Sequence, residues 1–130
     1  MKTYTTASLF SVCSNALQVD GALGFSAAVA EMLVQSQNGE IEFLPALPGS
    51  WRTGEIRGLR ARGGFEVGVR WSGGRLRQAT ILSTIGGPCR VRIAPLSVKS
   101  LNEMIMWSTP DAGLVEFKTE PGRTYVLTPR

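Results

Sequence analysis

Residues 65–83, FEVGVRWSGGRLRQATILS, change polarity at every second position. Phe65, Val67, Val69 and Trp71 alternate with Glu66, Gly68 and Arg70. A period of two puts every second side chain on one face of a strand, so this segment reads as a half-buried β-strand. Ser72, Gly73 and Gly74 turn the chain, and Arg75 to Ser83 returns as its partner, giving a β-hairpin.

Toward the C-terminus the same grammar continues. Gly86, Gly87 and Pro88 break the chain, after which Cys89, Val91 and Ile93 alternate with Arg90 and Arg92, a strand with its arginines outward. Residues 103–107 (EMIMW) form a short strand. Asp111, Ala112 and Gly113 turn into a strand at 114–120, and Pro121 and Gly122 turn again into 124–128. Short strands with frequent Gly and Pro breaks predict an antiparallel β-sandwich over residues 49–130, with six to eight strands following the helix, not a parallel sheet. Trp71 and Tyr125 fall on inward positions and read as core, whereas the phase of Trp107 is not fixed.

Toward the N-terminus the period changes. Leu23, Ala27, Ala30, Leu33 and Val34 recur at helical spacing, and Phe25, Ala28, Val29 and Met32 make the remaining sides apolar. The pattern predicts one long helix over 22–37, stopped by Asn38 and Gly39 and preceded by Asp20. A helix apolar on most sides belongs inside a larger protein, and Phe25, Val29 and Met32 would form a self-associating patch if left uncovered. Residues 39–48 read as a short strand followed by a linker held by Pro45 and Pro48. Leu44, Leu47 and Trp51 pack between helix and sheet on this reading, with sugar stacking the alternative for Trp51. Residues 1–16 show no useful periodicity and read as coil.

Composition narrows the chemistry. The chain has 130 residues, enough for one domain with a real core. It has no His, which removes the commonest general base and a common metal ligand, so catalysis would run on carboxylates. No cofactor or metal is expected. Eight of the eleven arginines lie from Arg57 to Arg92, yet alternate arginines on strands describe a solvated face and no nucleic-acid-binding motif accompanies them. Cys13 and Cys89 lack metal-site or redox spacing and read as two separate thiols. Residues 1–10 have no continuous apolar core and are not a signal peptide, and no run reaches the ~20 apolar residues of a membrane span.

Four blocks, LQVDGALGFSAAVAEMLVQS (17–36), GEIEFLPALP (39–48), GLRARGGFEVGVRW (58–71) and GGPCRVR (86–92), closely resemble the C-terminal end of glycoside hydrolase family 95. That family contains inverting 1,2-α-L-fucosidases. The resemblance implies that 1–48 is the remnant of a catalytic (α/α)6 barrel ending in its last helix, and that 49–130 is an accessory β-sandwich. It further implies that Asp20 is the general base, with two Asn partners and a Glu acid supplied by the barrel. The implied substrate is a fucosylated oligosaccharide or glycan, and the implied parent enzyme is exported. The chain departs from the family where Ala22 and Leu23 replace Asn and Phe of an Asp-Gly-Asn-Phe-Gly motif, and where Cys13, Ser14, Asn15 and Ala16 stand in place of a His-Pro-Pro segment. L-fucose and L-galactose both remain open as the sugar.

Three classes of function follow from these readings. In the first, the chain is part of a glycosidase and inactive alone; in the second it is a carbohydrate-binding module; in the third it is a purely structural domain. For Asp20, read from the residues alone, helix capping and catalysis are both open. Glu31 lies eleven residues further along the helix, roughly 16 Å at 1.5 Å per residue, too far to be its acid partner. Glu55 and Glu66 read as surface charges.

Overall fold

Alternation along the strands builds two sheets whose apolar faces meet. The computed structural model describes residues 11–13, 16–93, 96–100 and 103–129. A two-stranded hairpin of β1 (Ser11–Cys13) and β2 (Ala16–Gln18) leads into the single helix α1 (Val19–Leu33). The remaining strands are β3 (Val34–Gln35), β4 (Ile41–Phe43), β5 (Thr53–Ala61), β6 (Phe65–Ser72), β7 (Arg75–Ser83), β8 (Gly87–Arg92), β9 (Leu96–Ser100), β10 (Glu103–Met104), β11 (Ser108–Asp111), β12 (Leu114–Thr119) and β13 (Thr124–Pro129). They form a six-stranded sheet, β10-β9-β13-β7-β6-β5, and a five-stranded sheet, β11-β12-β8-β4-β3. The fold is mainly β, a sandwich preceded by one helix.

The first sheet sends Phe65, Val67, Val69, Trp71, Ala79, Ile81, Val98, Tyr125 and Leu127 into the core. Val34, Ile41, Cys89, Val91, Val115 and Phe117 come from the second. The expected alternation of 65–71 and 89–91 is therefore present residue by residue. Trp71 and Tyr125 are both buried. Between Ser72 and Arg75, Gly73 and Gly74 both take positive φ, 64° and 71°, as the two central residues of a hairpin turn matched to strand twist require.

Eleven strands follow the helix among the described residues, more than the six to eight expected, and each addition has a physical reason. In β5 the inward positions Gly54, Ile56, Leu59 and Ala61 are spaced two, three and two apart, because a bulge between Ile56 and Leu59, with Gly58 at φ 78°, inserts one residue. That extra residue erases the period-two signal. Strand β9 sends a polar Ser100 inward, and β11 is an exposed edge strand that tolerates Pro110. Only Glu103 and Met104 of the expected 103–107 strand pair; Ile105 and Trp107 then pack against the core as the chain crosses from one sheet to the other. One pairing, β4 with β8, is parallel.

The helix is displaced from its expected span of 22–37, running from Val19 to Leu33. It stops early because Val34 pairs with Phe43 and is buried in the sheet, a better position for a β-branched side chain than another helical turn. Gly39, at φ 74°, lies between β3 and β4 instead of ending the helix. The linker closes the helix C-terminus: the Leu44 N–H donates to the Leu33 carbonyl at 2.7 Å and the Ala46 N–H to the Met32 carbonyl at 3.2 Å. Leu44 adopts φ 57° to do so, a left-handed conformation that costs about 1–3 kcal/mol for such a residue. Leu44 and Leu47 pack against the core as expected. Trp51 does not: it is 38% exposed, and its carbonyl accepts a 2.7 Å hydrogen bond from the Trp71 indole. The coil expected over 1–16 contains the strand β1; residues 1–10 and 14–15 lie outside the described residues.

Polar ties close one end of the sandwich. Ser83 on β7 and Thr119 on β12 are both buried, with their hydroxyls 2.9 Å apart. Thr119 donates to the Gly87 carbonyl, so Ser83 is the donor between the two hydroxyls, while its own oxygen accepts from the Gly86 N–H. Beside them the Tyr125 hydroxyl accepts a 2.8 Å bond from the Glu120 N–H, and the Tyr125 ring lies tilted 5.4 Å from that of Phe117 on the other sheet. In Tyr125→Phe the ring contact remains but the Glu120 N–H loses its partner, so the variant should be less stable by about 1–3 kcal/mol, seen as a lower urea midpoint at unchanged slope.

Candidate functional site

Asp20 lies in the first turn of α1, where the positive end of the helix dipole favours a carboxylate. It is exposed, and so is most of the helix: Val19, Leu23 and Phe25 are 57–67% exposed, and Leu33 alone is fully buried. Val29 and Met32 are half-buried, which places the open apolar surface toward the Asp20 end.

Glu31, Glu40, Glu55, Glu66 and Glu116 are engaged elsewhere. Glu31, at the far end of α1, accepts a hydrogen bond from Gln37 at 2.6 Å. Glu55 pairs with Arg57 and, at 3.3 Å, with Arg70; the hydrogen bond from Arg57 holds its carboxyl below the ordinary value. Glu66 pairs with Arg60 at 3.1 Å, Glu116 with Arg90 at 2.5 Å and Glu40 with Arg92 at 2.8 Å. These pairs raise the Arg90 and Arg92 guanidinium groups above their usual range, chiefly through the hydrogen bonds they donate to Glu116 and Glu40. Arginines of the 57–92 cluster thus sit among carboxylates on the outer faces of the sheets. Exposed pairs of this kind contribute little individually.

Cys89 is fully buried and free, and burial pushes its thiol up to about 12. It is packing, not a nucleophile. Among the described residues no three metal-ligating side chains converge.

A concavity of about 520 Å³ lies on the five-stranded sheet. Pro88, Glu116 and Lys118 of β8 and β12 line it together with Met106, Trp107 and Ser108. The sequence marked Trp107 as uncommitted but gave no sign of this cleft, because its walls come from three segments brought together only by strand pairing.

One helix with exposed apolar residues, carrying Asp20 in its first turn, leads into a β-sandwich. Residues 35–127 match the family described as glycoside hydrolase family 95, C-terminal domain, and the chain belongs to that family. Alpha-L-fucosidase 2 of Arabidopsis thaliana is 53% identical over 60 residues, covering 45% of this chain and 7% of that protein. Probable alpha-fucosidase A of Aspergillus oryzae is 37% identical over 68 residues, covering 45% of this chain and 9% of that protein. The matched region is thus under a tenth of either relative's length. Asp20 and all of α1 precede the residues matched to the family.

Cys89 generates a prediction with a definite sign. Its folded pKa of about 12 stands above the ordinary 9.0, so the protonated thiol stabilises the fold fully below pH 9 and that contribution is lost as pH rises toward 12. A thiol-specific reagent at pH 8 should leave Cys89 unmodified in the native chain and label it once urea unfolds the protein, as mapped by peptide mass.

Proposed function

We propose that this chain is the C-terminal part of an inverting α-L-fucosidase-like glycoside hydrolase, carrying the general base Asp20 and the accessory β-sandwich, and inactive by itself. The observation that carries the reading is the family match over residues 35–127, with two fucosidase-named relatives in support. The resemblance of the 17–36 block assigns Asp20 its role. In the proposed division, residues 1–48 belong to the catalytic barrel and 49–130 form the accessory domain, with β3 and β4 of the first part contributing strands to the second.

Inversion needs a base that takes a proton from water as the water attacks the anomeric carbon, and an acid roughly 6.5–9.5 Å away that protonates the leaving oxygen. The first turn of a helix holds Asp20 with little backbone freedom. Glu31 is at the opposite end of α1, and the pairings of Glu55 and Glu66 make them surface charges. By the resemblance, the acid and the two Asn groups that orient the water come from the barrel, which is also the partner for the exposed face of α1. The substrate is a fucosylated oligosaccharide or glycan.

Residues 1–130 alone should release no fucose from a 2′-fucosylated oligosaccharide. In a full-length parent, Asp20→Asn should lower kcat by at least the 10²–10⁴-fold typical of lost acid–base catalysis, with stability changed by no more than about 1–2 kcal/mol. Full turnover by that variant would leave Asp20 a helix-terminal charge and nothing more.

The uncovered helix should also make the isolated chain sticky. Val19, Leu23 and Phe25 should bind a hydrophobic dye and drive concentration-dependent association in sedimentation, both reduced in Leu23→Ser/Phe25→Ser.

A further inference from the structure

The cleft beside Trp107 exists because an edge strand leaves its neighbour. Strand β11 pairs with β12 only through Ser108 with Glu116 and Asp111 with Leu114. Ahead of Ser108 the chain departs, so among the described residues Phe117, Lys118 and Thr119 have no strand partner on the side away from β8. The wedge left open is the cavity of about 520 Å³, within the range of small-molecule sites.

Its chemistry is two-sided. Trp107, half-buried, gives a rigid aromatic wall, with Met106 and Pro88 adding apolar surface. The rim mixes a hydroxyl at Ser108 with a carboxylate at Glu116, held in place by Arg90 at 2.5 Å, and an ammonium at Lys118. Glu116 already has Arg90 as its partner, and together the hydroxyl, carboxylate and ammonium both donate and accept. A ligand that fits has an apolar face for the indole and hydroxyls around its edge. That is a pyranose ring.

We propose that this cleft is a glycan-contact subsite, separate in function from Asp20, that takes one or two pyranose rings of a neutral oligosaccharide with Trp107 as the stacking platform. A strand-adding peptide fits less well. Three free edge residues span only about 10 Å at 3.3 Å each, and the departing chain closes one end of the edge. A purely apolar guest would bury the rim charges without partners.

The test is ligand-detected NMR with the full 130-residue chain, using lactose and 2′-fucosyllactose as probes. Only the fucosylated probe rests on the fucosidase reading; lactose tests the cleft without it, and turnover by Asp20→Asn is scored separately. Saturable binding of either sugar is expected, in the millimolar range typical of shallow sites. Trp107→Leu, which keeps an apolar side chain against the core but removes the ring, should weaken it at least tenfold. Lys118→Ala, at an exposed position, should weaken it severalfold, and Asp20→Asn should leave it unchanged. The proposal is overturned if neither sugar shows saturable binding, or if binding survives undiminished in both Trp107→Leu and Lys118→Ala.

Discussion

Two sheets share one dry layer, and the sandwich depends on both of them reaching it in register. Side chains alternate across a strand, so a slip of one residue would turn Val67, Val69, Ile81 and Val91 outward and bring Glu66, Arg70 and Arg90 in. The cost of burying those charges makes the register all but unique. The Phe117–Tyr125 contact and the Ser83–Thr119 hydroxyl tie then fix how the two sheets face each other at one end. Because each buried hydroxyl has its partner, the tie orders the end of the sandwich without leaving a polar atom stranded.

From that layer outward, electrostatics follows from geometry. Arg60 faces Glu66, Arg70 faces Glu55 and Arg90 faces Glu116 across neighbouring strands. Counting Arg57 and Arg92, five arginines of the 57–92 cluster lie beside carboxylates, so the cluster is not a uniformly basic face. Helix α1 is different in kind. Val19, Leu23 and Phe25 stand exposed on it, and Leu33 alone is fully buried. The linker that returns from it closes the C-terminal carbonyls through a strained Leu44, so the helix is held firmly at that end while the Asp20 end stands free.

The match to the C-terminal domain of glycoside hydrolase family 95 and the exposed helix point the same way. The family match covers the sandwich, whereas the carboxylate assigned as base stands ahead of it, on the element the sandwich does least to hold.

Several features were legible in the residues themselves. The alternation at 65–71 and 89–91, the paired glycines at 73 and 74, and the apolar run of α1 each carry a local signal, since strand and helix periods and positive φ are properties of short segments. The same holds for Asp20 at a helix start. Other features appeared only on folding. The bulge in β5 hides its period, the inward Ser100 of β9 looks like a turn residue, and Val34 ends the helix because a strand more than fifty residues away, β8, builds the sheet it joins through β4. The pairing of Ser83 with Thr119, and the wedge beside Trp107, join residues far apart in the chain. Local sequence sets what each segment prefers; long-range pairing decides which preference prevails, because only the assembled sheets bury enough apolar surface to overrule it.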